Sequence, residues 1–291
     1  MFKNCTSLQS ITLPASIKNI ESDAFVGCSS LAQITIPESV TILPENLFQG
    51  CSSLRSVTVG NDVEEFGSYC FSGCSQLTSL NIPNNLKKLN AYCLSGTGIT
   101  TLTLPEGFTT LSTDALQGCT RLTTITLPST ISKFDYTGLT GSKVSTINYN
   151  IPYSLWGTSY PPFYDARGTI QVINFGDGVK EVPYRMFYNS TKLTTVRVST
   201  SVNNFLQEAF DTSSSANVKA YYEGTVDQWA QISFSGLYSN PTYAAKGLYI
   251  NNELVKSIRF ADDTVNVNPY CFAYCTGITS LDLNNVQTVG S

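Results

Sequence analysis

The chain contains no histidine. That absence removes the Ser–His–Asp triad, the Cys–His pair and imidazole acid–base catalysis from its chemistry. Charge is scarce too: Lys, Arg, Asp and Glu make up 13% of 291 residues, with 17 basic against 21 acidic for a net charge of −4. The basic residues form no cluster able to track a phosphate backbone, which argues against a nucleic-acid partner. No apolar run is long enough to span a bilayer, so no membrane insertion is expected within the segment. No signal peptide, phosphate-binding loop or dinucleotide glycine motif is visible. The carboxylate pairs Glu64-Glu65 and Asp262-Asp263 sit where turns between strands are expected, with no apolar pocket to raise one member's proton affinity; they read as solvated turn residues. No catalytic residue, cofactor site or enzymatic activity is expected.

What is present is a period. FVGCSSLAQITIP, starting at Phe25, returns as FQGCSSLRSVTVG from Phe48 and as FSGCSQLTSLNIP from Phe71. Aligned on the leucine that follows the cysteine, the registers fall at Leu8, Leu31, Leu54, Leu77, Ile99, Leu122, Val144, Ile170, Leu193, Val218, Val255 and Ile278. An apolar residue follows at +3 and another at +5, with Glu223 in the Val218 register as the exception. This alternation predicts one short half-buried strand per repeat. A Pro or Gly then ends the strand, as at Pro14, Pro37, Gly60 and Pro83. A second apolar pair follows, such as Val40/Leu43 or Val63/Phe66, and then a small residue with an aromatic or Leu, such as Ala24-Phe25 or Cys70-Phe71. The last of these features predicts a short turn or one-turn helix plugging the far side of a coil with a Phe. A unit of about 23 residues cannot bury its own apolar face and must stack on its copies.

Nine cysteines fall on two repeat positions. Cys5, Cys28, Cys51, Cys74, Cys119 and Cys275 share one, where Thr97 and Ser190 substitute; Cys70, Cys93 and Cys271 share another, where Ala is the alternative. Stacked coils hold like positions about 4.8 Å apart with parallel side chains, whereas a disulfide needs convergent Cβ atoms about 3.8 Å apart. The cysteines therefore read as a ladder of buried thiols bonding weakly to neighbouring backbone. One or two bridges, such as Cys70 to Cys93, are the alternative in an oxidising compartment. The Cys70/Cys74 and Cys271/Cys275 spacings suit zinc poorly, because no histidine completes a tetrahedral set; no metal site is expected.

The pattern C-S-S-L-x-x-I-x-I-P, followed by V-x-x-I and A-F-x-G-C, resembles the leucine-rich repeats of the BspA-like bacterial surface-protein group. The resemblance covers nearly the whole chain. It implies a β-rich, right-handed leucine-rich-repeat solenoid with a parallel sheet on its inner face and about 23 residues per turn. It also implies a cell-surface or secreted location, and adhesion or protein binding rather than catalysis; a protein or glycan on host or neighbouring cells is the partner expected here. One elongated domain over 1–291 is expected, cut mid-repeat at both ends. A monomer follows, with an end-to-end dimer through the cut ends as the alternative.

In each repeat the +2 and +4 residues should face out from the inner sheet. The first registers offer short neutral side chains, as at Gln33/Thr35 and Thr124/Thr126; larger and charged ones begin at Arg197 and continue through Tyr222, Arg259 and Asp282. Two segments break the period and concentrate aromatics, near 150–168 with Trp156 and Tyr160, and near 223–254 with Trp229 and Tyr249. Insertions in repeat proteins often lie on the binding face. The candidate partner-binding residues are thus Arg197, Tyr222, Arg259, Asp282, Trp156 and Tyr160. Trp229, in EGTVDQWAQI, reads instead as packing from a short helix, and Asn251-Asn252 as a hairpin turn. Three other readings stand beside a binding face: Thr as a good strand former on an exposed surface, a flat ice-binding array, and a passive stalk presenting another domain.

Overall fold

The computed structural model describes residues 1–155, 162–211 and 218–290. It is a parallel β-solenoid of about 11 turns with about 23 residues per turn. The chain divides into two compact units, Met1–Val144 and Ser145–Ser291.

In the first unit the expected strands form where the +3/+5 alternation lies. Gln33–Ile36, Ser56–Val59 and Ser79–Leu80 pair in parallel, Gln33 opposite Ser56 and Ser56 opposite Ser79; Thr101–Thr103 pairs likewise with Thr124–Leu127. Buried Ile34, Ile36, Val57 and Val59 alternate with outward Gln33, Thr35, Ser56 and Thr58. The Leu8 register forms no strand of its own, although the Gln9 carbonyl accepts the Ala32 amide at 3.2 Å.

The small residue and the aromatic lie in a turn, as expected, at Ala24-Phe25 and Cys70-Phe71; the second apolar pair stands before that turn. It builds a second parallel ladder of two-residue strands: Ile42–Leu43, Glu65–Phe66, Lys88–Leu89, Thr110–Leu111 and Lys133–Phe134. Glu64 and Glu65 therefore sit at a ladder, and each meets a lysine one coil on, Lys87 at 2.7 Å and Lys88 at 3.5 Å.

Between the two ladders the corner is filled by columns. Phe2, Phe25, Phe48 and Phe71 stack with ring centroids 5.5, 5.5 and 5.4 Å apart. Beside them the Sγ atoms of Cys28, Cys51 and Cys74 donate to the carbonyl oxygens of Phe2, Phe25 and Phe48, each at 3.1 Å. Each thiol thus ties its coil to the preceding one. The glycine of F-x-G-C is required by conformation: Gly27, Gly50 and Gly73 have φ of 69°, 74° and 76°, a region that charges an L side chain about 1–2 kcal/mol.

In the second unit Thr146–Tyr149, Val172–Phe175, Thr195–Val198, Lys219–Tyr222 and Leu248–Ile250 are parallel neighbours. Their ladder ends on Glu253–Leu254, which folds back antiparallel through Asn251 and Asn252 at φ of 52° and 65°. Positive φ at both central residues is the type I′ hairpin geometry expected of Asn-Asn. Ser257–Arg259 then restarts the coil and pairs with Ser280–Asp282 in a separate sheet. Among the described residues, α-helix occurs only within the 223–254 insertion, at Val226–Ala230 and Thr242–Ala245.

Candidate functional site

The second unit's ladder turns one face outward, and its side chains line up coil upon coil. Thr146, Val172, Thr195 and Lys219 form one row; Asn148, Asn174, Arg197, Tyr221 and Tyr249 form the other. Within the second row the Asn174 amide donates to Asn148 Oδ1 at 2.8 Å. The Arg197 guanidinium carbon lies 4.5 Å from the centre of the Tyr221 ring, Tyr221 and Tyr249 ring centroids are 5.0 Å apart, and Lys219 Nζ sits 5.9 Å from the Tyr249 ring centre. Arg197 and Lys219 are exposed and the two rings half-buried. This is a cation–aromatic strip beside a pair of side-chain amides, able to stack on a planar or sugar surface and to hydrogen-bond at its rim.

Tyr222 is a correction. Placed by the sequence on the open face, it is buried at 3% exposure with Val218 and Ala220. Its ring packs 5.2 Å from Trp229, and burial raises its phenol pKa. The cause is a one-residue slip. Arg197 stands opposite Tyr221 and Val198 opposite Tyr222, so every side chain of that strand faces the opposite way from the Val218 alignment. The misfit was visible in the sequence: the Val218 alignment put Glu223 at a core position, where a carboxylate would lie buried without a partner.

The other candidates part company. Arg259 and Asp282 meet each other across adjacent strands at 3.5 Å, 75% and 58% exposed; they belong to the sheet that restarts after the hairpin, apart from the Arg197 row. Trp156 and Tyr160 lie outside the described residues. Trp229 packs as expected: it is fully buried from the Val226–Ala230 helix, and Phe234 lies 5.5 Å from it. Lys219, Tyr221 and Tyr249 are the residues of the strip that were not among the sequence's candidates.

No group of His, Cys, Asp and Glu among the described residues is arranged to hold a metal ion, and none of their helices is long and apolar enough to cross a membrane. The thiols are poor nucleophiles. Burial pushes Cys51 and Cys271 up to about 12 and holds Cys70, Cys74 and Cys93 well above the usual thiol range.

The family description that matches this chain is the BspA type leucine rich repeat region, over residues 1–123, 41–160, 99–217 and 232–291. Among solved structures, the chain is similar to a leucine rich cell surface protein from Faecalibacterium prausnitzii A2-165, with 19% identity over 81% of this chain and 85% of that one, TM-score 0.39. A leucine-rich repeat protein from Bacteroides ovatus shares 20% identity over 99% and 76% of the two chains, TM-score 0.32. A leucine-rich repeat protein from T. pallidum shares 14% identity over 73% of this chain and 77% of that one, TM-score 0.40. No curated protein matches the sequence.

Proposed function

The chain belongs to the BspA-type leucine-rich repeat family, and from that membership we propose that it is a non-enzymatic binding module, displayed at a cell surface or secreted, that takes a protein or glycan partner on the open sheet face of its second unit. Repeats of this family are commonly surface or protein-interaction modules. The observation that carries the reading is the Arg197–Tyr221–Tyr249 row. It brings together, on exposed sheet, the side chains that dominate recognition hot spots, arginine and tyrosine. Stacking holds them in place before a partner arrives, which lowers the entropy lost on binding.

The second reading is a passive stalk, and the face of the first unit favours it for that half. Its outward residues are short and neutral, and Asn81 is spent on the backbone of Val59, accepting its amide at 2.6 Å and donating to its carbonyl at 2.7 Å. The experiment that separates the two is a binding screen of the purified chain against immobilised matrix proteins and glycans, beside an Arg197→Ala/Tyr221→Ala/Tyr249→Ala variant. Binding that the variant loses supports the module and its face. Binding that the variant keeps moves the site elsewhere, and no binding by either folded protein favours the stalk.

A further inference from the structure

Resting on that reading of the open face, we infer that its ligand is an acidic carbohydrate, a carboxylated or sulfated oligosaccharide. Several of the chain's cations meet a carboxylate one coil away: Lys87 with Glu64, Lys88 with Glu65, Arg185 with Glu208, Arg259 with Asp282. Arg197 and Lys219 are not among them, and they stand on adjacent strands of one exposed face. Arg197 has Asn174 and Tyr221 as its ladder neighbours and Lys219 has Thr195. Neither cation has a carboxylate partner among the described residues, and the segments outside the description, 156–161 and 212–217, contain no Asp or Glu. None of the outward residues in the two rows is acidic. In a chain of net charge −4, this face is locally cationic, and it selects for anions.

The other groups on the face specify the anion's carrier. The Tyr221 and Tyr249 rings offer flat, amphipathic surface of the kind a pyranose ring stacks on. The Asn148–Asn174 amide pair continues the same row as a polar rim rather than a charged or apolar one. An arginine fork in line with both matches a carboxylate or sulfate. An acidic peptide fits less well, because protein partners anchor in desolvated apolar pockets, and Val172 is the one aliphatic side chain in the rows.

Isothermal titration of the purified chain tests the inference, using polygalacturonate and chondroitin sulfate oligosaccharides against neutral cello- and chito-oligosaccharides of matched length. Poly-glutamate and single-stranded RNA serve as competing polyanions. The expected result is binding of the acidic sugars alone, weakened about fivefold when salt is tripled, as release of counterions from about two neutralised charges requires. Arg197→Gln/Lys219→Gln should abolish binding without changing the melting temperature, and Lys87→Gln/Lys88→Gln should leave it intact. Neutral sugars binding equally well would overturn the charge selection and leave the face standing as a site. Poly-glutamate or RNA binding more tightly than the sugars, and lost in the Arg197/Lys219 variant, would overturn the carbohydrate and also keep the face. Sugar binding that survives in that variant, or no binding to any probe, would overturn the inference; the former would refute the face as well.

Discussion

The indole Nε1 of Trp229 donates to the backbone carbonyl of Cys271 at 2.6 Å, spanning 42 residues. The same carbonyl accepts Asn240 Nδ2 at 2.9 Å, so the insertion is pinned to the coil that follows it by two bonds on one oxygen. Around the indole lie Tyr222 and Phe234, with ring centroids at 5.2 and 5.5 Å. Trp229→Ala should lower unfolding stability by about 3–5 kcal/mol, the cost of an emptied aromatic site. Trp229→Phe should cost about 1–2 kcal/mol, since most of the volume stays and Asn240 still satisfies the carbonyl. Denaturant unfolding of both variants checks the order; equal losses would mean the hydrogen bond outweighs the packing.

The tyrosine pair at 221 and 222 gives a sharper comparison, because two adjacent identical residues face opposite ways. Tyr222→Ala removes a core ring and should cost about 3 kcal/mol or more. Tyr221→Ala removes a ring from the open face and should change stability by less than about 0.5 kcal/mol, while weakening whatever binding the face supports. A large loss at Tyr221 with none at Tyr222 would reverse the strand's register. Melting curves of the two single variants decide it.

That pair also marks where the sequence stops being legible. Within the regular repeats, each position has one physical explanation: Leu31, Ile34 and Ile36 feed the core, Gly27 takes the left-handed corner, and Cys28 bonds the coil before it. The core and thiol positions could be read from the recurrence of FVGCSSLAQITIP; the conformation of Gly27 came from the structure. Before Val218 the chain leaves the period, and Lys219–Tyr222 offers apolar side chains on both faces, so alternation alone could not choose between them. Only the burial of a carboxylate at Glu223 argued for the slip. The second ladder was hidden for a different reason: two-residue strands are too short to show a period of two. The helix at Val226 had a local signal in Thr225-x-x-Gln228, whose capping box closes with bonds of 3.2 and 2.9 Å.

The Asn251-Asn252 turn ends the parallel ladder, and its geometry makes a directional prediction. Both residues are left-handed, so Asn252→Gly should hold or raise stability, Asn-Gly being the preferred pair for this turn. Asn252→Val should lower it by about 1–2 kcal/mol, because a β-branched side chain is strained there. Hydrogen exchange at Val255, whose amide donates to Leu248 at 2.9 Å, reports the hairpin directly. Unchanged protection in the valine variant would mean the turn contributes nothing to the ladder's end.

The thiol columns predict an alkaline limit to stability. Burial raises Cys51 and Cys271 to about 12 from the ordinary thiol value of 9.0 and holds Cys70, Cys74 and Cys93 well above it. Above pH 9 the unfolded chain therefore releases thiol protons that the folded chain keeps. Their contribution is fully present below that pH and is lost as pH rises toward the folded values, by about 1.4 kcal/mol per pH unit for each such thiol. Tyrosines and lysines titrate in the same range, so a variant must isolate the cysteine share. Cys70→Ala is suited to this, because Ala24, Ala115 and Ala209 hold the same place in other coils. It should cost little near neutral pH and flatten the alkaline decline by about one thiol's slope. If stability against pH falls as steeply in Cys70→Ala as in the parent, ionisation of this thiol does not limit the fold, and the buried phenols become the groups to test.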